Sequence, residues 1–434
     1  MQRAILYLSL AGFAFGQSQP IAFTGARIIP ISGPEIPNGV LVIQSGRILA
    51  AGPAGSTALP SGARREDLAG KVIMPGLVDT HSHIGGIDGG DSSASLHPDV
   101  RVLDSINVRE ARIQKAQAGG ITVVNVMPGS GLLLSGQTLY LKLRDGKTID
   151  DFLIPDAAGK PSGGMKMANG TNSRGASPRP GTRAKAAAMV RAEFVKAQEY
   201  REKVRQGADD ASKLPARDLR MEGLVEVLEG KRVVHFHTHR HDDILTALRL
   251  SKEFGFKIVL QHVSDGWAVA EEIAAAKAPC SIILIDSPGG KIEAKDNNYG
   301  TGAALERAGA LVGFHTDDGI TDSRLFLRSA GLAVRGGMSR DKALYGLTMA
   351  GAIMLGFEQR IGSLEPGKDA DFIVLSGDPL SVYTHVLATW VDGVKVFDRV
   401  DPKDRLYSVG GYGASHDQGP SLHGSSLHID VEEP

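Results

Sequence analysis

The stretch VIMPGLVDTHSH, residues 72–83, contains the most informative pattern in the chain. An apolar run ends in His81 and His83, and residues two positions apart in an extended backbone point to the same face. The two imidazoles can therefore converge on one metal ion at the carboxyl end of a strand. Barrels of alternating strands and helices build their active sites at that end. We therefore predict a barrel strand over residues 71–79, followed by two candidate metal ligands.

Strand-like and helix-like segments alternate along the central part of the chain, which is typical of βα units around a parallel sheet. The strand candidates are 71–79, 121–128, 138–143, 165–168, 232–237, 257–262, 281–286 and 311–317. The helix candidates are 101–118, 184–205, 218–229, 242–254, 266–277, 301–309 and 322–335. This number of units predicts an α/β fold with a (β/α)8 TIM-like barrel. A doubly wound open sheet is the rival, but the glycine fingerprint of dinucleotide-binding folds is absent.

Both flanks of the barrel region are rich in short strands and turns. We predict that residues 17–72 and 361–400 together form a small β-sandwich domain, with the barrel at 73–360. Residues 401–434 are polar and rich in glycine, serine and histidine, so we expect an irregular tail. A chain of 434 residues is long enough for one barrel and one smaller domain.

Residues 1–16, MQRAILYLSLAGFAFG, have the pattern of a secretory signal peptide, with cleavage expected after Gly16. We therefore expect a periplasmic or secreted protein that has no membrane association after cleavage. Cys280 is the sole cysteine, which excludes an intrachain disulfide. The 48 basic and 49 acidic residues are interspersed without a basic stripe, so nucleic acid is not an expected partner.

Other candidate strands also end in metal-ligating residues: His237 closes RVVHFH, His262 closes KIVLQH and Asp317 closes LVGFHTD. Imidazoles with a carboxylate suit zinc, iron or manganese rather than calcium. Metal-ligating residues at several strand ends are stronger evidence for a metal site than such a residue at one strand end. They predict a metal site at the carboxyl end of the barrel.

The tract VVHFHTHRHDDI, residues 233–244, has a histidine at every second position from 235 to 241. Alternate residues of one strand lie about 6.6–6.8 Å apart, so ligands from different strands converge better on one ion. We expect His237 to be the ligand, His235 to be buried in the barrel and His239 to contact substrate. Asp79 and His315 each lie two residues from a candidate ligand. We interpret Asp79 as a residue that fixes the strand end or forms a turn. We interpret His315 as a residue that supports a ligand or packs in the core.

The motifs VIMPGLVDTHSH and IGSLEPGKDADFIVLSGDP (361–379) resemble the amidohydrolase superfamily of metal-dependent hydrolases, most closely its imidazolonepropionase-like group with prolidase-like members. By position, the resemblance implies this ligand set: His81, His83, His237, His262 and Asp317. Lys166 stands where binuclear members carry a lysine carbamylated by CO2 that bridges two metals. Imidazolonepropionases lack this lysine. A substrate-binding or structural cation is the alternative for Lys166.

The resemblance implies Zn2+ as cofactor, in one or two ions, and hydrolysis of a small-molecule substrate at an amide, cyclic amide or dipeptide bond. A metal-activated water is then the nucleophile, and Asp317 is both a ligand and the general acid/base. Candidate substrate contacts are His239, Arg240 and Asn169. The alternatives are a deaminase of an imidazole- or purine-like ring and a non-catalytic metal-binding barrel protein. Such barrels often pair, so a homo-oligomer is an expected form.

Overall fold

A computed structural model describes residues 19–87, 89–208, 210–284 and 291–409. The signal peptide predicted at 1–16 lies outside these residues, as does the tail from 410 onward. The strands are β1 (Ile21–Ile28), β2 (Ile36–Gln44), β3 (Arg47–Pro53), β4 (Arg64–Asp67), β5 (Val72–Pro75), β6 (Leu77–Ser82), β7 (Ile121–Val126), β8 (Leu134–Gln137), β9 (Leu139–Lys142), β10 (Met165–Ala168), β11 (Val234–Thr238), β12 (Ile258–His262), β13 (Cys280–Ile282), β14 (Val312–Phe314), β15 (Phe372–Leu375), β16 (Val386–Val391) and β17 (Val394–Asp398). The α-helices are α1 (Ala111–Ala118), α2 (Arg183–Gly207), α3 (Leu219–Leu228), α4 (His241–Phe254), α5 (Ala270–Ala275), α6 (Thr301–Ala308), α7 (Phe326–Arg335), α8 (Arg340–Gly346), α9 (Met349–Leu355) and α10 (Pro402–Val409).

One sheet combines strands from both flanks of the barrel, in the order β17-β16-β15-β5-β1-β2-β3, with β4 paired to β1. The junction is the antiparallel pairing of β5 with β15, in which Pro75 lies opposite Phe372. The core of this sheet contains Phe23, Phe372 and Trp390, whose ring centroids lie 5.1–5.4 Å apart. Stacked and edge-on aromatic contacts of this kind stabilise a core beyond simple burial.

The barrel consists of a six-stranded and a three-stranded sheet, in the orders β14-β13-β12-β11-β10-β8 and β6-β7-β9. Strands β8 and β9 are consecutive and join the two sheets, since β8 pairs with β10 and β9 with β7. At the opposite seam, the N–H of Asp317 donates to the carbonyl of His81 over 2.9 Å. The two sheets therefore close around one core, which confirms the predicted α/β barrel class with an added β domain.

The structure corrects three details of the predicted organisation. Residues 71–79 are two strands, because β5 pairs in the small sheet while β6 pairs with β7. Gly76 separates them at a close approach, where a Cβ atom would lie 2.2 Å from Oγ1 of Thr122. The strand predicted at 138–143 exists as β9, but it is antiparallel to β7. Helix α10 occupies the start of the segment that we expected to be irregular.

Strands β10 to β14 run parallel, so the carboxyl ends of β11, β12 and β14 lie at the same end of the barrel. Strand β6 brings His81 and His83 to this end through its contacts with the segment after β14. In the described part of the chain, no helix has the length and apolar character required to cross a bilayer.

Candidate metal centre

His81, His83 and Asp317 form the first group of candidate ligands. Oδ1 of Asp317 lies 3.3 Å from Nε2 of His81 and 2.9 Å from Nε2 of His83. Asp317 has a left-handed backbone conformation, with φ of 48°. For a residue other than glycine this conformation costs about 1–3 kcal/mol, and such strain is concentrated at functional sites. In this conformation the carboxylate of Asp317 faces the two imidazoles.

His237, His239 and His262 form the second group, with candidate ligand atoms within 4.8 Å of one another. Within the described residues, both ring nitrogens of His237 and the Nε2 atoms of His239 and His262 are buried without a hydrogen-bond partner. Buried nitrogens left unpaired are costly, so a convergent set of them fits a metal site. Zinc prefers imidazole nitrogen, and the donor set of the two groups therefore fits a transition-metal site.

Lys166 of β10 lies beside this site. Its Nζ atom lies 2.9 Å from Nε2 of His81 and 3.1 Å from Sδ of Met127. The side chain is completely buried, and burial lowers the pKa of Lys166 to about 7 although the nearby Asp317 opposes the shift. Strand β10 pairs with β11 so that Ala168 lies opposite His237. Lys166 is therefore on the strand next to that of the second group and contacts the first.

Burial also keeps the histidines neutral. It lowers the pKa of His81, His237 and His262 well below the usual value, and that of His239 to about 3. Neutral imidazoles retain the lone pair that a metal requires. Burial alone would raise the pKa of Asp317, but its hydrogen bond with His83 and the nearby positive charges hold that pKa below the usual range. Asp317 is therefore ionised at neutral pH.

Further contacts orient the ligand candidates. Nδ1 of His83 lies 2.7 Å from the carbonyl of Met127, and Nδ1 of His239 lies 2.8 Å from Oγ of Ser264. The carbonyl of Met127 can only accept, so Nδ1 of His83 carries a hydrogen, and Nε2, which faces Asp317, is the nitrogen left for a metal. The sequence contains no local pattern that would identify Met127 or Ser264 in these roles.

Asp79 is a buried carboxylate that links the ends of β6 and β14. Its Oδ2 atom accepts from Oγ1 of Thr316 over 2.5 Å. Its Oδ1 atom accepts from the N–H groups of Thr316 and His81 over 3.1 and 3.2 Å. Burial raises the pKa of Asp79 to about 7. Of the two interpretations made from the sequence, these contacts favour a residue that fixes the strand end.

The predicted substrate contacts differ in position. The backbone N–H of Asn169 donates to the carbonyl of His237 over 3.1 Å, so Asn169 lies beside the second group. His239 lies within that group, closer to a ligand's position than we expected for a substrate contact. Arg240 forms a two-bond ion pair with Asp242, and its side chain is 40% exposed. The structure therefore places the guanidinium of Arg240 at the surface.

A model of the amidohydrolase family matches residues 185–397. The crystal structure of an amidohydrolase from Thermotoga maritima is 32% identical in sequence and superimposes with a TM-score of 0.80. That alignment covers 87% of this chain and 100% of the other. This similarity therefore extends over the whole of the solved chain.

Three curated relatives extend the similarity. The amidohydrolase tasK of Hapsidospora irregularis is 27% identical over 78% of this chain, but the match spans only 38% of that protein's length. A 5-methylthioadenosine/S-adenosylhomocysteine deaminase of Symbiobacterium thermophilum is 24% identical over 82% of this chain and 85% of its own length. An imidazolonepropionase of Sphingopyxis alaskensis is 25% identical over 82% of this chain and 92% of its own length. These relatives differ in substrate and share hydrolysis of a carbon–nitrogen bond.

Proposed function

Because the chain belongs to the amidohydrolase superfamily of metal-dependent hydrolases acting on carbon–nitrogen bonds, we propose that it is an exported zinc amidohydrolase for an amide, cyclic amide or dipeptide bond. One observation carries the proposal, namely that both groups of candidate ligands lie at one end of the barrel with Lys166 beside them. The ligands come from the ends of β6, β11 and β12 and from the segment after β14, and barrel active sites are built from the ends of several strands in this way.

Two metal ions fit this arrangement. His81, His83 and Asp317 would hold the first, and His237 with His262 would hold the second. Lys166, as a carbamate, would supply one oxygen to each ion. Its complete burial beside His81 favours the uncharged amine, which is the form that reacts with CO2. When bound, the ions acidify a water molecule and polarise the carbonyl group of a substrate.

Asp317 acts as the general base and then as the general acid. Its carboxylate is ionised at neutral pH and can accept the proton of the attacking water. It then delivers this proton to the departing nitrogen, which leaves as an amine. The strained backbone at Asp317 and the hydrogen bond from its N–H to His81 fix the carboxylate before substrate binds. Asn169, beside His237, is the proposed substrate contact, because its buried Oδ1 has no hydrogen-bond partner among the described residues.

Metal analysis and a substrate screen test this function together. We expect close to two zinc ions per chain, and turnover of at least one class among N-acyl amino acids, X-Pro and other dipeptides, lactams and hydantoins. One ion per chain, with turnover of an imidazole- or purine-like ring instead, would favour the deaminase that the relative from Symbiobacterium thermophilum suggests. A folded protein that binds zinc but turns over none of these compounds would support the non-catalytic metal-binding alternative.

The bridging role of Lys166 has its own test. Lys166→Ala should lose the second ion and most of the activity, and added short carboxylates should restore part of both by occupying the place of the carbamate. Lys252→Ala, at an exposed position of α4, is the matched control and should behave as the wild type. An active Lys166→Ala enzyme with two ions would refute the bridge.

Export is tested on the full chain in its native host. We expect the mature protein outside the cytoplasm, with an amino terminus near Gln17. An amino terminus at Met1 in the cytoplasmic fraction would refute this part of the proposal.

A further inference from the structure

A chain of hydrogen bonds leads from the backbone of β14 to the candidate ligand His262. Oγ1 of Thr80 lies 3.4 Å from the carbonyl oxygen of Phe314 and 2.5 Å from Oγ of Ser281. Oγ of Ser281 lies 2.8 Å from Nδ1 of His315, whose Nε2 lies 3.2 Å from Nδ1 of His262. Thr80, Ser281, His315 and His262 are all buried. The chain is therefore shielded from water along its whole length.

The donor and acceptor of every hydrogen bond in the chain follow from the contact between Thr80 and Phe314. A carbonyl oxygen can only accept, so the hydroxyl of Thr80 donates to Phe314. The hydroxyl of Ser281 then donates to Thr80, and Nδ1–H of His315 donates to Ser281. Nε2 of a neutral His315 is left as an acceptor, and the hydrogen it accepts is on Nδ1 of His262.

The reverse direction is unfavourable. It would place a hydrogen on Nε2 of His262, a buried atom that has no acceptor within the part of the chain that the structure describes. A buried donor without a partner is destabilising, because it loses its hydrogen bond to water and gains none in the protein. The same hydrogen would also remove the lone pair that a metal needs.

We propose that His315 is a positioning residue that holds His262 in the tautomer with hydrogen on Nδ1, so that the lone pair of Nε2 faces the metal. This inference rests on the proposed metal site. His315 is near enough to His81 and His262 to be considered a ligand itself. However, both of its ring nitrogens are already engaged, one with Ser281 and one with His262.

A second ligand supports the interpretation. Nδ1 of His83 donates directly to the carbonyl of Met127, which leaves Nε2 as the metal-facing atom. His262 also needs a hydrogen on Nδ1 and a free Nε2, but in its case the hydrogen-bond acceptor is a side chain. A backbone carbonyl is always a hydrogen-bond acceptor. Hydroxyls and imidazoles can donate or accept, so the direction of the hydrogen bonds in this chain is fixed only while each of its side chains is present. Ser281 and Thr80 should therefore influence metal binding although neither is itself a candidate ligand.

Zinc affinity, measured on the metal-loaded protein by competition with a chromophoric chelator, tests the proposal in three variants. His315→Leu removes the acceptor for His262 and should weaken the site containing His262 by about 10–100-fold. His315→Gln can place an amide oxygen where Nε2 was, so it should retain most of the affinity. Ser281→Ala leaves Nδ1–H of His315 without its acceptor and should weaken zinc binding by about tenfold. Ser329→Ala, at a buried serine of α7, is the matched control and should bind zinc as the wild type does.

Thermal unfolding of the metal-free variants separates positioning from packing. Unchanged unfolding with weakened zinc binding supports the proposal. Wild-type zinc affinity in folded His315→Leu and Ser281→Ala overturns it. Complete loss of one ion in both the Leu and the Gln variant also overturns it, because His315 would then be a ligand. A wild-type protein that binds no zinc overturns the metal site itself, and hence the proposed function, before any variant is compared.

Discussion

Nζ of Lys142 lies 2.6 Å from Oδ2 of Asp369, and this contact joins the antiparallel strand β9 of the barrel to the segment that leads into the small sheet. Asp371 and Asp392 contact the same ammonium group. The motif GKDAD at 367–371 therefore supplies two of the three carboxylates around one buried lysine. It contributes to the junction between the barrel and the small sheet and lies outside the metal centre.

Removal of the buried ammonium should destabilise the protein strongly. Lys142→Met would leave the three aspartates without their shared cation, and breaking a buried ion pair from one side costs about 3–5 kcal/mol. Denaturant titration measures the difference in the free energy of unfolding. Lys395→Met, which removes an ion pair at the surface of β17, should change this free energy by less than about 1 kcal/mol. Equal effects of the two substitutions would show that the Lys142 cluster is not a stabilising junction.

The same cluster predicts a loss of stability at alkaline pH. Burial alone would lower the pKa of Lys142, but the three aspartates outweigh it and raise the pKa above 10.5. A raised pKa in the folded state gives stability that is complete below pH 10.5 and is lost as pH rises through the folded value. Unfolding curves measured between neutral pH and pH 12 should show this decline in the wild type. The decline should be smaller in Lys142→Met, and an identical alkaline profile would contradict the assignment.

Asp317→Asn should lower kcat by about 10²–10⁴-fold with little change in KM, because the amide cannot transfer the proton. Zinc content must be measured in parallel, since Asp317 is also a candidate ligand. Asp341→Asn, at an exposed position of α8, serves as the control. Turnover of Asp317→Asn near that of the control would exclude Asp317 as the acid/base.

His237 and His239 should differ in their effects on zinc content. His237→Asn removes a ligand and should release one ion. His239→Asn should retain both ions and raise KM by about 2- to 10-fold, the effect of one lost hydrogen bond to substrate. Elemental analysis with steady-state kinetics distinguishes the two. Loss of an ion in His239→Asn would place His239 among the ligands, where its distance from His262 also allows it.

Zinc removal should lower the thermal stability of the protein. Ligand binding to the folded state adds about 2.7 kcal/mol when free zinc is 100 times its Kd, so chelation should lower Tm and added zinc should restore it. Magnesium, which prefers oxygen ligands, should restore little. A Tm that is independent of zinc would contradict a preformed metal centre.

Strand-end periodicity was enough to identify most residues of the candidate site. His81, His83, His237, His262 and Asp317 could be identified because each follows a short apolar run, and the structure brings them to one end of the barrel. The antiparallel direction of β9 was not predictable, because an apolar alternation is the same in both directions. The contacts of Lys142 and the chain through Ser281 and His315 also escaped prediction, since they join residues that are far apart in sequence.

The pairing of Pro75 with Phe372 has a consequence for biosynthesis. At about 5–20 residues per second, a ribosome needs roughly 15–60 s to extend the chain from β5 to β15. Throughout that interval the edge of β5 has no strand to pair with, and unpaired edges template aggregation. That edge of β5 can therefore pair only after residue 375 has been synthesised, and a chain that stops short of β15 cannot complete the sheet that β1 to β5 begin.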